Sequence, residues 1–214
     1  MLKAEAISFR YDNGPWLLTE FDFEVRPGEV VGLPGPSGQG KSTLAKLLSG
    51  YLRPGQGKIT CDGKPLPKGA FNPVQLIFQH PELTMNPRWK LGDSLSEGYE
   101  VGEDALNSLN IERNWLNRYP HELSGGELQR LALARVMSSK TRYLLADEMT
   151  AMLDPNTQAL IWDRVLTWAK SLNIGVLAIS HDHSLLERVA DRIDYTFTPQ
   201  APEVRTEAEL SSAA

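Results

Sequence analysis

Apolar and polar positions alternate over residues 21–25, where three apolar side chains are separated by two acids. Such alternation predicts a strand with one buried and one solvated face. Elsewhere, short unbroken apolar runs predict strands that are buried on both faces. These runs are EVVGLPG, VQLIFQ, RYLLADE and IGVLAIS. A further strand between two turns is predicted in RPGQGKITCDGK, and the last strand is predicted in DYTFT.

Helical spacing of apolar residues predicts helices between these strands. In KSTLAKLLSGYL, one helical face carries Leu44, Leu47, Leu48 and Tyr51. A long helix is predicted after DPNT, with apolar residues spaced over 160–172, and SLLERVADRI predicts a shorter one. Strands that alternate with helices indicate an α/β fold with a mainly parallel sheet covered on both faces. Chemistry in such folds lies at the carboxyl ends of the strands.

The strand patterns disappear between residues 81 and 140. Short helical patterns replace them, interrupted by prolines and glycines. We therefore expect one domain over residues 1–198, with a helical insertion at about 81–140. Residues 199–214 are polar and rich in Ala, Ser and Glu, which predicts a poorly ordered tail.

Composition narrows the possible functions. The 214 residues are 41% hydrophobic and 23% charged, as is typical of soluble globular proteins. The net charge of −5 argues against nucleic acid as a partner. A single cysteine, Cys61, excludes an internal disulfide and a cysteine metal cluster. The chain has no signal-peptide pattern and no apolar window of 18 residues, so another chain must supply any membrane part.

A glycine-rich loop follows the predicted strand EVVGLPG and precedes a predicted helix. Residues 35–42, GPSGQGKS, fit the phosphate-loop pattern G-x-x-x-x-G-K-[ST] in the required strand–loop–helix context. The loop N–H groups and the helix N-terminus would hold phosphate oxygens, Lys41 would reach the β- and γ-phosphates, and Ser42 would bind Mg²⁺. The alternative is a glycine-rich turn without a ligand. The candidate nucleotide-binding residues here are Gly35, Pro36, Ser37, Gly38, Gln39, Gly40, Lys41, Ser42 and Thr43.

Two acids, Asp147 and Glu148, end the predicted strand RYLLADE. At the sheet edge of the phosphate loop, Asp147 would hold Mg²⁺ and Glu148 would activate the attacking water. Alone, such a pair is often a solvated strand end. His181 ends the next apolar strand and would contact the γ-phosphate or the water, although a histidine there can also be structural.

Taken together, these motifs resemble the ABC-type ATPase domains. Lys41, LSGGE at 123–127, Asp147-Glu148 and His181 follow one another in the order and rough spacing of that family, over about residues 2–198. The resemblance implies an ATP- and Mg²⁺-dependent P-loop NTPase. It further implies a mainly parallel core, an N-terminal antiparallel β subdomain and an inserted helical subdomain. Met149 departs from the family, which usually has Pro at that position.

The same resemblance implies roles for three further residues. Tyr11 would stack on adenine, although the residues alone favour an edge-strand aromatic. Gln79 would touch Mg²⁺ or the water and link to a membrane partner, although it can also be a polar strand end. Asp154 would be a further nucleotide-site acid, and it is also placed to be the N-cap before Pro155. Both readings of Asp154 can hold together.

The segment LSGGE has two explanations. Ser124 and Glu127 fit a helix capping box, which leaves the helix-weakening Gly125 and Gly126 unexplained. Bare backbone at a helix N-terminus is an anion site. The resemblance implies that Ser124, Gly125, Gly126 and Glu127 close over the γ-phosphate held by a second ATPase subunit.

A narrower resemblance lies in LIFQHPELTMNPRWKLGDSLSEG and RYPHELSGGELQR, which are similar to ATPase subunits of oligopeptide, dipeptide and nickel importers. It implies import of peptides, nickel or metal chelates. The expected partners are a second ATPase subunit (the same chain or a paralogue), membrane permease subunits and a solute-binding protein, and the expected location is the cytoplasmic face of the inner membrane. The alternative is a non-transport ABC ATPase of DNA repair or translation.

Overall fold

The computed structural model describes residues 1–198, so the predicted tail at 199–214 lies outside the described residues. The strands are β1 (Leu2–Phe9), β2 (Leu18–Val25), β3 (Val30–Leu33), β4 (Gln56–Cys61), β5 (Lys64–Pro65), β6 (Val74–Ile77), β7 (Tyr143–Asp147), β8 (Gly175–Ile179) and β9 (Arg192–Ile193). The helices are α1 (Lys41–Leu48), α2 (Leu91–Ser96), α3 (Glu103–Ser108), α4 (Gly125–Val136), α5 (Pro155–Ser171) and α6 (His183–Val189). None of the helices within 1–198 is long and apolar enough to cross a bilayer.

The larger sheet has the strand order β6-β7-β8-β3-β9, and every one of these pairs is parallel. All residues of β3, β7 and β8 are buried, as their unbroken apolar runs predict. Successive side chains of β7 serve opposite faces of the sheet. Leu145 packs with α1 and the second sheet, whereas Leu144 packs with α4, α5 and α6.

The smaller sheet has the order β2-β1-β4-β5 and is antiparallel. Leu2 pairs with Val25 of β2 and with Cys61 of β4, and all three side chains are buried. They share a core with the α1 residues Leu44 and Leu47. One parallel and one antiparallel sheet around a phosphate loop confirm the predicted α/β P-loop fold.

The segment between β6 and β7 is helical. It holds α2, α3 and α4 together with 3₁₀ turns at Pro81–Leu83, Arg113–Asn117 and Pro120–Glu122. Leu95, Leu106 and Leu131 of the three helices are buried in the core that also covers one face of the parallel sheet. The helices are thus packed against the sheet that carries the candidate site.

Three predicted elements are wrong in detail. The helix predicted in SLLERVADRI ends at Val189, and its last two residues form β9. The first helix ends at Leu48 because Gly50 takes a left-handed conformation (φ 79°), so Tyr51 lies beyond it and is 66% exposed. The last strand is β9, and the predicted strand DYTFT is a turn. Asp194 accepts a hydrogen bond from the Thr196 N–H at 3.0 Å, which bends the chain locally.

Candidate functional site

The glycine-rich loop connects β3 to α1, as predicted. Gly40 precedes α1 with φ 100°, a backbone conformation that a residue with a Cβ rarely adopts. A Cβ on Gly35 would lie 2.5 Å from the Phe197 carbonyl oxygen. Chain packing and backbone conformation therefore explain why glycine occupies these two positions.

Lys41 is buried inside this loop. Its Nζ donates to the carbonyl oxygens of Gly35 at 2.6 Å and Pro36 at 2.7 Å. Burial lowers the pKa of the Lys41 ammonium, and the nearby charges of Glu148 and Asp147 oppose that effect. The loop and the acids therefore surround one cation that can face a phosphate.

Asp147 and Ser42 meet at the carboxyl end of β7. Asp147 is buried, and burial raises its pKa, while the nearby Ser42 hydroxyl lowers it and the charge of Glu148 raises it. A carboxylate beside a hydroxyl is an oxygen donor pair of the kind that holds Mg²⁺ together with nucleotide phosphates. Residues 1–198 contain no group of three His, Cys, Asp or Glu side chains that could hold a metal ion unaided.

Glu148 is the meeting point of three strand ends. Gln79 Nε2 donates to Glu148 Oε2 at 3.0 Å, and His181 Nδ1 lies 3.4 Å from Glu148 Oε1. The three residues follow β6, β7 and β8, which are neighbours in the sheet. Glu148 has φ 49°, and its N–H donates to Ile179 O at 3.0 Å. The structure thus brings together all three predicted catalytic residues.

Tyr11 lies just beyond β1 rather than within an edge strand. Its ring is half exposed and packs edge-on against Phe9, with ring centroids 4.9 Å apart. Its hydroxyl hydrogen bonds with Thr43 Oγ1 at 3.1 Å, which ties the exposed ring to the first turn of α1. An aromatic face therefore stands beside the phosphate loop.

Tyr11, the phosphate loop and Glu148 line one open cleft of about 470 Å³, whereas Asp147 and His181 are not among its lining residues. Sequence reasoning missed one lining residue, Leu17, whose Cγ lies 3.2 Å from where a Cβ on Gly40 would be. Its apolar side chain at the start of a strand carried no signal of a binding role. The lining residues are Tyr11, Leu17, Ser37, Gly38, Gly40, Lys41, Ser42, Thr43, Gln79 and Glu148.

The LSGGE segment does not line this cleft. Ser124 is the N-cap of α4, and the predicted capping box is confirmed, because Glu127 N–H donates to Ser124 Oγ at 3.4 Å and Ser124 N–H donates to Glu127 Oε2 at 2.7 Å. Nothing lies within 4 Å of where a Cβ on Gly125 would be. The start of α4 is therefore accessible at Gly125, whereas a Cβ on Gly126 would lie 3.1 Å from Leu153 Cδ2.

Asp154 and Met149 flank the loop after Glu148. Asp154 is the N-cap of α5, as predicted, and accepts from the N–H groups of Asn156 and Thr157, both at 3.1 Å. Its side chain is not part of the cleft lining. Met149, at 3% exposure, belongs to the core packed by α4 and α5. An apolar side chain therefore fills a buried position directly after the site acids.

Comparison with known proteins gives consistent matches. A family model described as "ABC transporter" matches residues 18–151. The oligopeptide transport ATP-binding protein OppF of Haemophilus influenzae is 28% identical in an alignment of 211 positions that covers 89% of this chain and 64% of that protein. OppF of Streptococcus mutans is 30% identical in an alignment of 208 positions that covers 88% of this chain and 68% of that protein. The chain therefore spans about two thirds of the length of these relatives.

Among solved structures, the similar fold of cbiO1 from Clostridium perfringens is described as part of the ABC transporter complex cbiONQ. It is 27% identical, with a TM-score of 0.73, and the match covers 90% of this chain and 82% of that chain. The fold is therefore shared over most of this chain.

Proposed function

This chain belongs to the ABC transporter family of ATP-binding domains, and from that premise we propose that it binds and hydrolyses ATP to energise the import of peptides. The observation that carries the proposal is that Gln79 and His181 converge on the Glu148 carboxylate beside the phosphate loop. Hydrolysis of a bound nucleotide requires a phosphate-binding loop and an oriented base that activates the attacking water. This cleft contains both.

Binding uses two different surfaces of the cleft. The loop N–H groups and the α1 N-terminus would receive the β- and γ-phosphates, and the Lys41 ammonium would exchange its two carbonyl partners for phosphate oxygens. The exposed Tyr11 ring would stack on the adenine. Leu17 would pack beside the ribose and base because it lines the same cleft.

Hydrolysis would depend on the carboxyl end of β7. Ser42, Asp147 and Gln79 would hold Mg²⁺, which when bound neutralises charge on the transferred phosphoryl group. Glu148 would accept a proton from the attacking water, and Gln79 fixes the direction of that carboxylate. His181, 63% exposed at its side chain, is accessible to the γ-phosphate.

The accessible start of α4 supports action as a pair of ATPase subunits. Bare N–H groups at a helix N-terminus bind anions, and these lie outside the chain's own cleft. We therefore propose that Ser124, Gly125 and Gly126 contact the γ-phosphate held by a partner subunit, with Glu127 and Asp154 nearby. As an anion, the Asp154 carboxylate would contact the partner's nucleotide site beside the γ-phosphate rather than the phosphate oxygens themselves.

Transport is assigned from the relatives, two of which are named oligopeptide transport ATP-binding proteins. We propose permease subunits and a solute-binding protein as partners, with this chain peripheral at the cytoplasmic face of the inner membrane. Peptides are the proposed transported solutes. Nickel or metal chelates are the alternative solutes, which the resemblance to the wider importer group implies.

The test is to replace Lys41 in the assembled complex. Lys41→Ala removes a charge-assisted phosphate contact and should weaken ATP affinity by about tenfold to a hundredfold. Nucleotide titration measures this, and Lys68→Ala, an exposed lysine outside the cleft, is the matched control. Unchanged affinity in Lys41→Ala would refute the site. A screen of ATPase stimulation by peptides, Ni²⁺ and metal chelates identifies the solute class.

A further inference from the structure

The hydroxyl of Ser124 is already engaged. It donates to Glu127 Oε2 at 2.7 Å, and the same oxygen accepts the Ser124 N–H at 2.7 Å. A serine hydroxyl has a single proton to donate. While this contact lasts, Ser124 cannot donate to a phosphate.

The partner of that hydroxyl is an ionised carboxylate. Hydrogen bonds to the backbone and side chain of Ser124 lower the pKa of Glu127, and the charges of Arg118 and Arg130 act in the same direction. Charge-assisted hydrogen bonds are stronger than neutral ones. Glu127 therefore competes with a phosphate for the Ser124 proton, and it places a negative charge beside the place where an anion would dock.

The neighbouring backbone is not held in this way. Among the described residues, no acceptor is paired with the N–H groups of Gly125 and Gly126, which lie in the first turn of α4. The approach to Gly125 is open. Only the Ser124 hydroxyl at this helix start must therefore leave its present partner before it can donate to a phosphate.

We propose that Glu127 is a positioning residue that holds the Ser124 hydroxyl away from incoming phosphate. It thereby weakens the binding of a nucleotide to the start of α4. The inference rests on the proposed function, in which that nucleotide is presented by a partner subunit. ATP binding to the pair then requires the Ser124–Glu127 contact to open. The identity of residue 127 therefore sets the KM of the complex for ATP.

The test is a double-mutant cycle in the complex of this chain with its ATPase partner and permease subunits. Glu127→Gln removes the charge but keeps an oxygen that can cap the helix, since Gln also serves in capping boxes. It should lower the KM for ATP by about fivefold, a larger change than that in kcat. In a Ser124→Ala background the same change should lower KM by less than about twofold, because the hydroxyl it acts through is absent.

Glu122→Gln is the matched control. Its carboxylate accepts the Tyr119 N–H at 2.6 Å at the start of a neighbouring turn, so it carries the same charge in a similar cap without touching Ser124. Its KM should stay within about twofold of the parent. Melting temperatures of all variants verify that the chains are folded.

Three results overturn the inference: an unchanged or raised KM in Glu127→Gln, the same drop without the Ser124 hydroxyl, or the same drop in Glu122→Gln. If ATPase activity is present and requires Lys41, these results refute the role of Glu127 alone. If the complex has no ATPase activity that requires Lys41, both the proposed function and the inference fail.

Discussion

Glu148 is held in place from both sides of its carboxylate. Gln79 bonds one oxygen and His181 approaches the other, while the backbone has a left-handed φ of 49°. A residue with a Cβ adopts this conformation at some cost, and such strain clusters at active sites where the surroundings enforce it. The side chain is 14% exposed, so it reaches the cleft without being freely solvated. We infer that the direction of the carboxylate is fixed before a nucleotide binds.

Replacing this carboxylate by an amide separates binding from hydrolysis. In Glu148→Gln the amide oxygen can still accept from Gln79, but the amide cannot take a proton from water. We expect hydrolysis to fall by about a hundredfold or more, with ATP binding retained. Steady-state turnover and nucleotide titration of the same complex measure the two effects.

Glu112→Gln serves as the control for this change. Glu112 is exposed and lies outside the cleft lining, so its amide variant should keep parental turnover. Turnover near the parental rate in Glu148→Gln would remove Glu148 from the role of base.

At the scale of elements, α5 begins immediately after the loop that follows the site acids. Asp154 caps it through two N–H groups, and Pro155 occupies the first helical position. The cap fixes where the loop ends and the helix starts. One side chain thus serves α5 itself and, in the proposed function, a partner's nucleotide.

Two substitutions distinguish these roles of Asp154. Asp154→Ala removes the cap and should lower Tm by about 2–4 °C. Asp154→Asn keeps a capping oxygen, because Asn and Asp cap helices about equally well, so its Tm should match the parent. We expect Asp154→Asn to reduce ATPase activity in the complex, since the carboxylate is lost while the helix is intact.

Thermal melts of the isolated chain and ATPase assays of the complex measure these outcomes. Parental activity in Asp154→Asn would limit the residue to capping.

The types of element, more than their ends, could be predicted from the sequence. Apolar runs predicted β3, β6, β7 and β8, because strands buried on both faces are mostly apolar; the polar exceptions are Gln75 in β6 and Asp147 at the end of β7. The end of α1 could not be placed, since apolar spacing continues through Tyr51 and a single left-handed glycine stops the helix. The turn that replaced DYTFT depends on one Asp194 side chain.

Those parts of the candidate site that are formed by residues contiguous in the sequence could be predicted. The phosphate loop and the two acids at the carboxyl end of β7 are short motifs whose flanking elements follow from the same pattern. The contacts of Glu148 with Gln79 and His181 require β6, β7 and β8 to be neighbours, and strand order is a long-range property. The tie between Tyr11 and Thr43 likewise joins two separate elements.

At the scale of the whole molecule, one arginine joins the two sheets. Arg192 of β9 donates to Glu29 Oε1 at 3.0 Å and to the Glu24 carbonyl of β2 at 3.1 Å. Burial raises the pKa of Glu29, but hydrogen bonds from Arg192 and from the Arg26 backbone outweigh it, so the pKa is lowered overall. This contact links the antiparallel sheet to the edge of the parallel one.

The lowered pKa of Glu29 fixes the pH dependence of this link. A carboxyl whose pKa is lower in the folded chain adds stability above its unfolded pKa of about 4.3, and that stability is lost as the pH falls through the folded value. Glu29→Gln should lower the free energy of unfolding by about 1–2 kcal/mol at pH 7, with the difference shrinking toward pH 3.

Urea unfolding across this pH range tests the prediction. Glu100→Gln, an exposed acid in the helical segment, should show no such trend. A difference between the parent and Glu29→Gln that persists unchanged at pH 3 would contradict it.

In the proposed function, the placement of the α4 start outside the chain's own cleft has a genetic consequence if two copies of this chain pair. A copy altered at Lys41 and a copy altered at Ser124 would together form one composite site that carries both lesions and one that carries neither. Two alleles that are inactive alone would then complement each other. Two alleles altered on the same side would not, because no arrangement of those copies gives an intact site.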